Sequence, residues 1–176
     1  YQKTVITKLT NDDSTYLGVQ TGAIMGGTGG YTSLHRVGYA PYTYYLYQQA
    51  YDENGKAIQN VLVDRDGDGS ITEADRYVTG KSITPKFFFG LSSQFTYKKW
   101  DFGFNAHGSF GGYALNRVAM NNSSAFSDDY TKGYINNLST NVLKTGWTRA
   151  ISTEQKYSDM FLENASFFRM DDINVG

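Results

Sequence analysis

The residues with the clearest chemistry in this sequence are the aspartates of the run DRDGDGSITEAD. Asp64, Asp66 and Asp68 occupy alternate positions, and a glycine that permits a sharp turn follows the third. Carboxylate oxygens at this spacing are typical of a calcium loop, which is completed by a later backbone carbonyl and a final carboxylate. Ser70 would offer the carbonyl and Asp75 the final carboxylate. The sequence therefore predicts a Ca²⁺ site formed by these five residues.

The predicted calcium is a structural ion. The segments on either side of the loop, residues 61–63 and 77–79, have the β-branched and aromatic composition of strands, whereas a sensor loop lies between two helices. Asp75 is one methylene shorter than the glutamate usual at the last position, which favours weak binding. The alternative is an aspartate-rich surface turn that needs no ion. Crowded carboxylates repel one another unless they are neutralised, and this favours calcium.

The remaining ionisable residues predict no catalytic site. His35 and His107 are the only histidines and are far apart, and the chain has no cysteine. A secreted glycosidase would need two carboxylates across a cleft, and no convincing pair is present. The net charge is −1, and the basic residues form no stripe of the kind that binds nucleic acid. We therefore expect neither an enzyme nor a nucleic-acid-binding protein.

A dense group of tyrosines precedes the aspartate loop. Tyrosines suit both binding surfaces and packed surfaces, because the ring is apolar and the hydroxyl is polar. The sequence predicts that this group contacts a substrate or a protein partner, and covering the mouth of a barrel is the alternative. Its members are Tyr39, Tyr42, Tyr44, Tyr45 and Tyr47.

Residues 86–97 and 100–112 have the strongest strand pattern in the chain. Apolar residues occupy alternate positions in both segments, which makes each strand two-faced. Strands in soluble proteins are usually about 5–6 residues long, whereas a tilted membrane strand needs about 9–11. Tyr97 and Trp100 stand beside the short turn Lys98-Lys99, where a membrane barrel places its aromatic girdle. The pattern predicts a hairpin of an outer-membrane β-barrel.

The polar faces of these strands would line the interior of the barrel, and Gln94, Asn105 and His107 are the predicted lumen-facing residues. Further strands are predicted over residues 1–9 and 161–176. In the second, the apolar residues change parity around Asp171-Asp172, which indicates a β-bulge or a misplaced strand start. Two long stretches, residues 10–85 and 113–160, are then extracellular loops, and the short turn is periplasmic.

Four motifs in order carry a resemblance to a known family. They are a YDENGK stretch after the tyrosines, the DRDGDGSITEADR loop, the PKFFFGLSSQFTYKKWDFGF hairpin and the FLENASFFRMDDINVG strand. Together they resemble the C-terminal barrel part of SusC-like (RagA-like) TonB-dependent outer-membrane transporters, over nearly the whole chain. The sequence departs from the family pattern at Asp66, where asparagine is common, and at Asp171-Asp172.

The resemblance implies that residues 1–176 are part of an antiparallel transmembrane barrel of 22 strands in the bacterial outer membrane. It implies import of a glycan or peptide, powered through TonB, with a SusD-like surface lipoprotein as partner. The plug and the segment that contacts TonB would lie outside this chain. Because its strands would have unpaired edges, the chain is not expected to fold alone. The alternative from another class is a soluble, calcium-stabilised β-sandwich that binds glycans.

Overall fold

The computed structural model describes residues 1–9, 17–23, 30–125 and 139–176. Strands dominate the described residues, and no helix among them is long and apolar enough to cross a membrane. Three short helices and two 3₁₀ turns complete the described residues. The strands are β1 (Val19–Ala23), β2 (Tyr31–His35), β3 (Thr43–Leu46), β4 (Gln49–Tyr51), β5 (Ala57–Leu62), β6 (Tyr77–Ser82), β7 (Phe87–Tyr97), β8 (Trp100–Phe110), β9 (Tyr113–Leu115), β10 (Leu162–Asn164) and β11 (Phe167–Val175). The helices are α1 (Arg117–Asn121), α2 (Thr140–Thr145) and α3 (Thr153–Lys156), and the 3₁₀ turns are Glu73–Asp75 and Asp159–Phe161.

The longest strands form one antiparallel three-stranded sheet in the order β11-β8-β7. Strand β7 pairs with β8 without interruption, from Phe87 opposite Phe110 to Tyr97 opposite Trp100. Directly opposed residues project to the same side of a sheet, so the alternating apolar residues of both strands share one face. Strands of 11 residues each fit the length that a tilted membrane strand requires.

Strand β11 joins this sheet through a β-bulge. Its register against β8 shifts between Met170 and Asp172, which leaves Asp171 as the extra residue. Before the shift Met170 lies opposite Ala106, and after it Ile173 lies opposite Phe104. Of the two alternatives given for the parity change at Asp171-Asp172, the bulge is confirmed. Because of it, the apolar residues on both sides of the bulge project to the same face, although their parity in the sequence differs. The single strand predicted over residues 161–176 is wrong at its start, because residues 162–164 form β10, which pairs with β9, and β11 begins at Phe167.

The apolar face of the three-stranded sheet is open. Phe95, Trp100 and Val175 are 60%, 68% and 67% exposed, and Leu91 is 50% exposed. In a β-sandwich this face would interdigitate with a second sheet, and among the described residues no sheet covers it. The soluble sandwich is therefore disfavoured. The all-β class is confirmed, whereas the closed barrel and its count of 22 strands stay predictions.

Residues 17–85 contain β1 to β6, so the prediction of one irregular loop over residues 10–85 is wrong for this part. Four of these strands form a sheet in the order β1-β2-β3-β6. They escaped prediction because each is only 3–6 residues long, too short for alternation to be recognised. The buried residues of this region form small clusters, one of which joins Tyr44, Leu46 and Leu162.

Two further predictions need correction. No strand forms within residues 1–9. Isolated backbone hydrogen bonds, such as that from the Ile6 N–H to the Tyr39 carbonyl, connect this segment to the rest of the chain, but they do not form a strand ladder. This agrees with the weak alternation of apolar and polar residues in the segment. The predicted loop 113–160 contains helices and strand β9, which pairs with β10. The remaining parts of both predicted loops, residues 10–16, 24–29 and 126–138, lie outside the described residues.

Candidate metal centre and membrane face

The structure brings three of the five predicted calcium ligands together. One carboxylate oxygen from each of Asp64, Asp66 and Asp68 lies within 4.8 Å of the others. Asp64 also closes the loop on itself, because its Oδ1 accepts the Gly67 N–H at 2.6 Å and its Oδ2 accepts the Gly69 N–H at 2.8 Å. Both glycines have positive φ values, 76° and 84°, which lets the backbone turn tightly around the carboxylates.

The other two predicted ligands, Ser70 and Asp75, are not part of this group of three carboxylates. Ser70 lies beside the cluster, and its backbone N–H donates to Asp68 Oδ1 at 2.7 Å. Asp75 is fully buried, and its two oxygens accept the N–H groups of Arg65 at 2.6 Å and Thr72 at 2.8 Å. Both backbone hydrogen bonds lower the pKa of Asp75, and the bond from Thr72 has the larger effect. Its carboxylate therefore fixes the end of the loop, where it also forms a capping box with Thr72.

The aspartate cluster is electrostatically strained without a cation. The backbone N–H of Asp68 acts to lower the pKa of Asp66, but desolvation and the carboxylates of Asp68, Asp75 and Asp64 together raise it. Like charges disfavour ionisation of their neighbours, and a bound divalent cation reverses this effect. Three convergent carboxylates in a glycine-shaped loop fit the oxygen ligands that Ca²⁺ prefers.

Three of the five grouped tyrosines are buried, so their predicted role in contacting a partner or substrate is wrong. Tyr44, Tyr45 and Tyr47 are only 6–8% exposed. Tyr45 and Tyr47 surround Arg76, whose guanidinium carbon lies 4.4 Å and 5.7 Å from their ring centroids. Strand β3 is interior to its sheet, and this explains why a tyrosine-rich segment that resembles a surface patch is packed.

Arg76 is itself nearly buried and has no carboxylate partner among the described residues. Its Nη2 donates to the carbonyl of Tyr45 at 2.5 Å and to that of Tyr31. Burial lowers the pKa of this guanidinium, and electrostatic interactions with Tyr45, Tyr47 and Glu73 partly offset that effect. The sequence analysis missed Arg76; its position directly after the last residue of the calcium-like loop was the available signal.

The other two members of the tyrosine group are more accessible. Tyr42 is 48% exposed, has a positive φ of 55° and meets the His35 ring edge-on at 4.6 Å between centroids. Tyr39 is half-buried, with the guanidinium of Arg36 at 5.9 Å from its ring. A contact role for these two tyrosines stays a prediction.

The three predicted lumen-facing residues share the polar face of the long sheet. Gln94, Asn105 and His107 lie opposite Gly103, Ser92 and Gly90, all on the side away from the apolar face. His107 also belongs to a charged cluster with Asp171 and Arg169, which the sequence analysis did not assign to this face. Its Nδ1 lies 2.5 Å from Asp171 Oδ2, and Arg169 Nε lies 3.5 Å from Asp171 Oδ1.

This cluster on the polar face depends on the bulge. Asp171 is the residue that the register shift leaves without a partner on β8. Bulges reorient a side chain in this way, and the carboxylate reaches the ring of His107 from the neighbouring strand. The parity change at Asp171-Asp172 was the only sequence signal for this contact.

Comparisons with known proteins agree with the fold and with the motif order. No protein-family model matches the chain. The chain is 38% identical over 178 residues to the TonB-dependent receptor SusC of Bacteroides thetaiotaomicron, a match that covers 97% of this chain and 17% of SusC. It is 27% identical over 116 residues to the TonB-dependent receptor P3 of Formosa agariphila, which covers 66% of this chain and 11% of that receptor.

A solved structure has the same fold. The RagAB peptide importer in its open-open state matches with a TM-score of 0.58 at 19% identity, over 97% of this chain and 18% of the matched chain. The chain thus spans less than a fifth of the length of SusC and of the matched RagAB chain. The relatives are named as receptors or an importer, and none is named as an enzyme.

The sequence and the open apolar sheet place this chain among the TonB-dependent receptors, which are proteins of the Gram-negative outer membrane. Within that class the chain belongs to the SusC-like family, and the predicted resemblance is confirmed.

Proposed function

We propose that this chain forms part of the barrel wall of a SusC-like outer-membrane importer. The observation that carries the proposal is the continuous apolar face of β7, β8 and β11, which the bulge at Asp171 preserves across all three strands. Such a sheet fits a barrel wall, in which the apolar face contacts lipid hydrocarbon and the polar face contacts a water-filled interior. The role is passive: the strands shape the channel, and no residue performs catalysis.

The proposed cargo and partners follow from the relatives. RagAB is a peptide importer, and SusC is a TonB-dependent receptor. We propose that the receptor containing this chain takes up an oligosaccharide or peptide, is powered by TonB and pairs with a SusD-like surface lipoprotein. The segment between β1 and β6 and the segment around α1 to α3 join the end of the long sheet opposite its short turn. They would face the lipoprotein outside the cell.

Paired cysteine variants of β7 test the wall assignment. The chain has no cysteine, so a cysteine placed by Leu91→Cys or Ser92→Cys is the only thiol in the segment. Leu91 is on the apolar face and Ser92 on the polar face, one residue apart in an unbroken register. In the complete receptor in membranes, we expect a lipid-soluble maleimide to label the first variant and a water-soluble maleimide to label the second faster than the first.

One outcome of the labelling would contradict the assignment of β7 to a membrane wall. A receptor that is folded and monomeric in buffer without detergent, with both positions equally reactive toward the water-soluble reagent, would exclude the membrane wall. It would favour the soluble glycan-binding module instead.

We also propose a structural Ca²⁺ bound by Asp64, Asp66 and Asp68, with a backbone carbonyl at Ser70 and with Asp75 holding the end of the loop. The convergence of three carboxylates and the raised pKa of Asp66 support this site. The ion would neutralise the cluster and stiffen the connection between β5 and β6. Because the site has few charged ligands and lacks the usual final glutamate, we expect weak binding suited to calcium-rich surroundings.

Calorimetric titration of calcium into the complete receptor tests the site. Asp68→Ala removes one ligand from the cluster and should abolish the heat of binding. Asp52→Ala is a matched control, because Asp52 makes a similar turn through the N–H groups of Asn54 and Lys56 but does not belong to a convergent group of three carboxylates. Equal heats for the wild type and Asp68→Ala would eliminate the site, as would equal losses in both variants.

A further inference from the structure

The turn between β7 and β8 places two lysines at one end of the apolar face. Tyr97 and Trp100 pair across the strands on that face and are 69% and 68% exposed. Lys98 and Lys99 form the two-residue connection between them and are also exposed. At the opposite end of the hairpin, the Lys86 N–H donates to the Phe110 carbonyl, and the segments before β7 and after β8 join there. At the turn end, the described neighbour of the hairpin is the end of β11, where Gly176 exchanges backbone hydrogen bonds with Asp101.

The backbone of this turn is not the one that lysine prefers. Lys98 has a φ of 57°, and Lys99 has no positive φ. Two-residue hairpins with a positive φ at the first central position favour glycine there. A bulky residue that accepts strain in a tight turn suggests that its side chain has a role.

The ammonium group of Lys98 lies toward the apolar side. The Lys98 ammonium lies 5.2 Å from the centroid of the Tyr97 ring, which belongs to the apolar face. The nearest acidic residue in the sequence, Asp101, lies opposite Thr96 on the polar face. Neither lysine forms an ion pair within the described part of the chain. The result is a border of two cations and two amphipathic rings at the end of a lipid-facing surface.

We propose that this turn binds the phosphate of an anionic phospholipid in the adjacent membrane leaflet. The inference rests on the proposed function, which places the apolar face of β7 and β8 in lipid. The tyrosine and indole rings would lie at the boundary between acyl chains and headgroups. The ammonium groups would pair with the phosphate, and the indole N–H of Trp100, which has no partner among the described residues, would donate to it.

Lipid retention by the complete receptor tests the proposal. The receptor is reconstituted in mixed phosphatidylcholine and phosphatidylglycerol, extracted mildly, and its bound lipid is counted by native mass spectrometry. Each lysine near an anionic surface contributes roughly 1 kcal/mol, which corresponds to about a fivefold change in affinity. The double variant Lys98→Gln/Lys99→Gln should lose most of the retained phosphatidylglycerol. Lys144→Gln, an exposed lysine on α2, should retain it.

A second variant separates lipid binding from folding. Lys98→Gly relieves the strained backbone, so its unfolding temperature in phosphatidylcholine alone should equal or exceed that of the wild type, while its phosphatidylglycerol retention should fall about fivefold. Unchanged retention in the double variant would overturn the lipid site while leaving the barrel wall intact. With lipopolysaccharide added to the lipid mixture, its preferential retention through these lysines would overturn the phospholipid site as well. Failure of the wild type to insert into any liposome would instead overturn the proposed function.

Discussion

Deleting the bulge residue Asp171 should be far milder than deleting one residue from the regular strand β7. Without Asp171, Met170 still lies opposite Ala106 and Ile173 can still lie opposite Phe104, so every apolar residue keeps its face. The main loss is the contact with His107, in which both side chains are about 40% exposed. Exposed pairs of this kind contribute about 0–1 kcal/mol.

Deletion of Ser92 has the opposite effect, because a one-residue change in a regular strand reverses the faces beyond it. Phe95 and Tyr97 would turn toward the wet interior, and Gln94 and Thr96 would turn toward lipid. Two aromatic side chains removed from an apolar environment correspond to roughly 3–6 kcal/mol. This is a large part of the roughly 5–15 kcal/mol that stabilises an ordinary domain.

The two deletions are compared by urea unfolding of the complete receptor in liposomes and by the fraction that inserts. We expect the Asp171 deletion to insert and unfold close to the wild type, and the Ser92 deletion to insert poorly. If the Asp171 deletion is as damaging as the Ser92 deletion, the bulge does not correct the parity of β11. If the Ser92 deletion is tolerated, the apolar face does not need lipid.

Substitutions at three positions test the contacts outside the long sheet. Arg76→Lys keeps the charge but loses the planar group that reaches two carbonyls, so we expect roughly 1–3 kcal/mol lower stability by thermal denaturation. Gln155→Leu leaves the Gln49 side-chain carbonyl without its donor, at about 1–3 kcal/mol for each unsatisfied group, whereas Gln155→Glu should restore only the bond from the Asn60 N–H. Burial and Asp159 raise the pKa of Tyr77 above that of free tyrosine. Stability from this group is therefore complete below about pH 10 and falls as the pH rises further. Tyr77→Phe should show a shallower alkaline decline of stability; an unchanged decline would contradict the raised pKa.

Sequence periodicity is informative where strands are long. Eleven alternating residues in β7 and in β8 define both faces of each strand, and a two-residue turn leaves little freedom in how they pair. The parity change in β11 marks the position of the irregularity for the same reason, and the pairing with β8 then shows that it is a bulge. Aspartates at alternate positions likewise converge because the loop between them is short.

The short strands are not predictable on the same grounds. Three to six residues of β2 to β6 carry too little alternation to distinguish a strand from a loop, and their partners are chosen by tertiary contacts. The tyrosines of β3 illustrate the difficulty. Their composition fits an exposed patch, and only the arrival of Arg76, 31 residues after Tyr45, shows that they are packed around a cation.

Adjacent residues at the end of the aspartate loop connect it to the sheet beside it. Asp75 holds the loop through the N–H groups of Arg65 and Thr72, and Arg76 holds β2 and β3 through the carbonyls of Tyr31 and Tyr45. The Tyr45 hydroxyl completes the connection by donating to the Glu73 carbonyl at 3.2 Å. Because a buried cation without a carboxylate partner is stable only where its donors and its rings are fixed, displacement of the loop would disturb the sheet. The aspartate loop and the tyrosine-rich strand therefore act as one structural unit, and a cation bound to the first would stiffen the second.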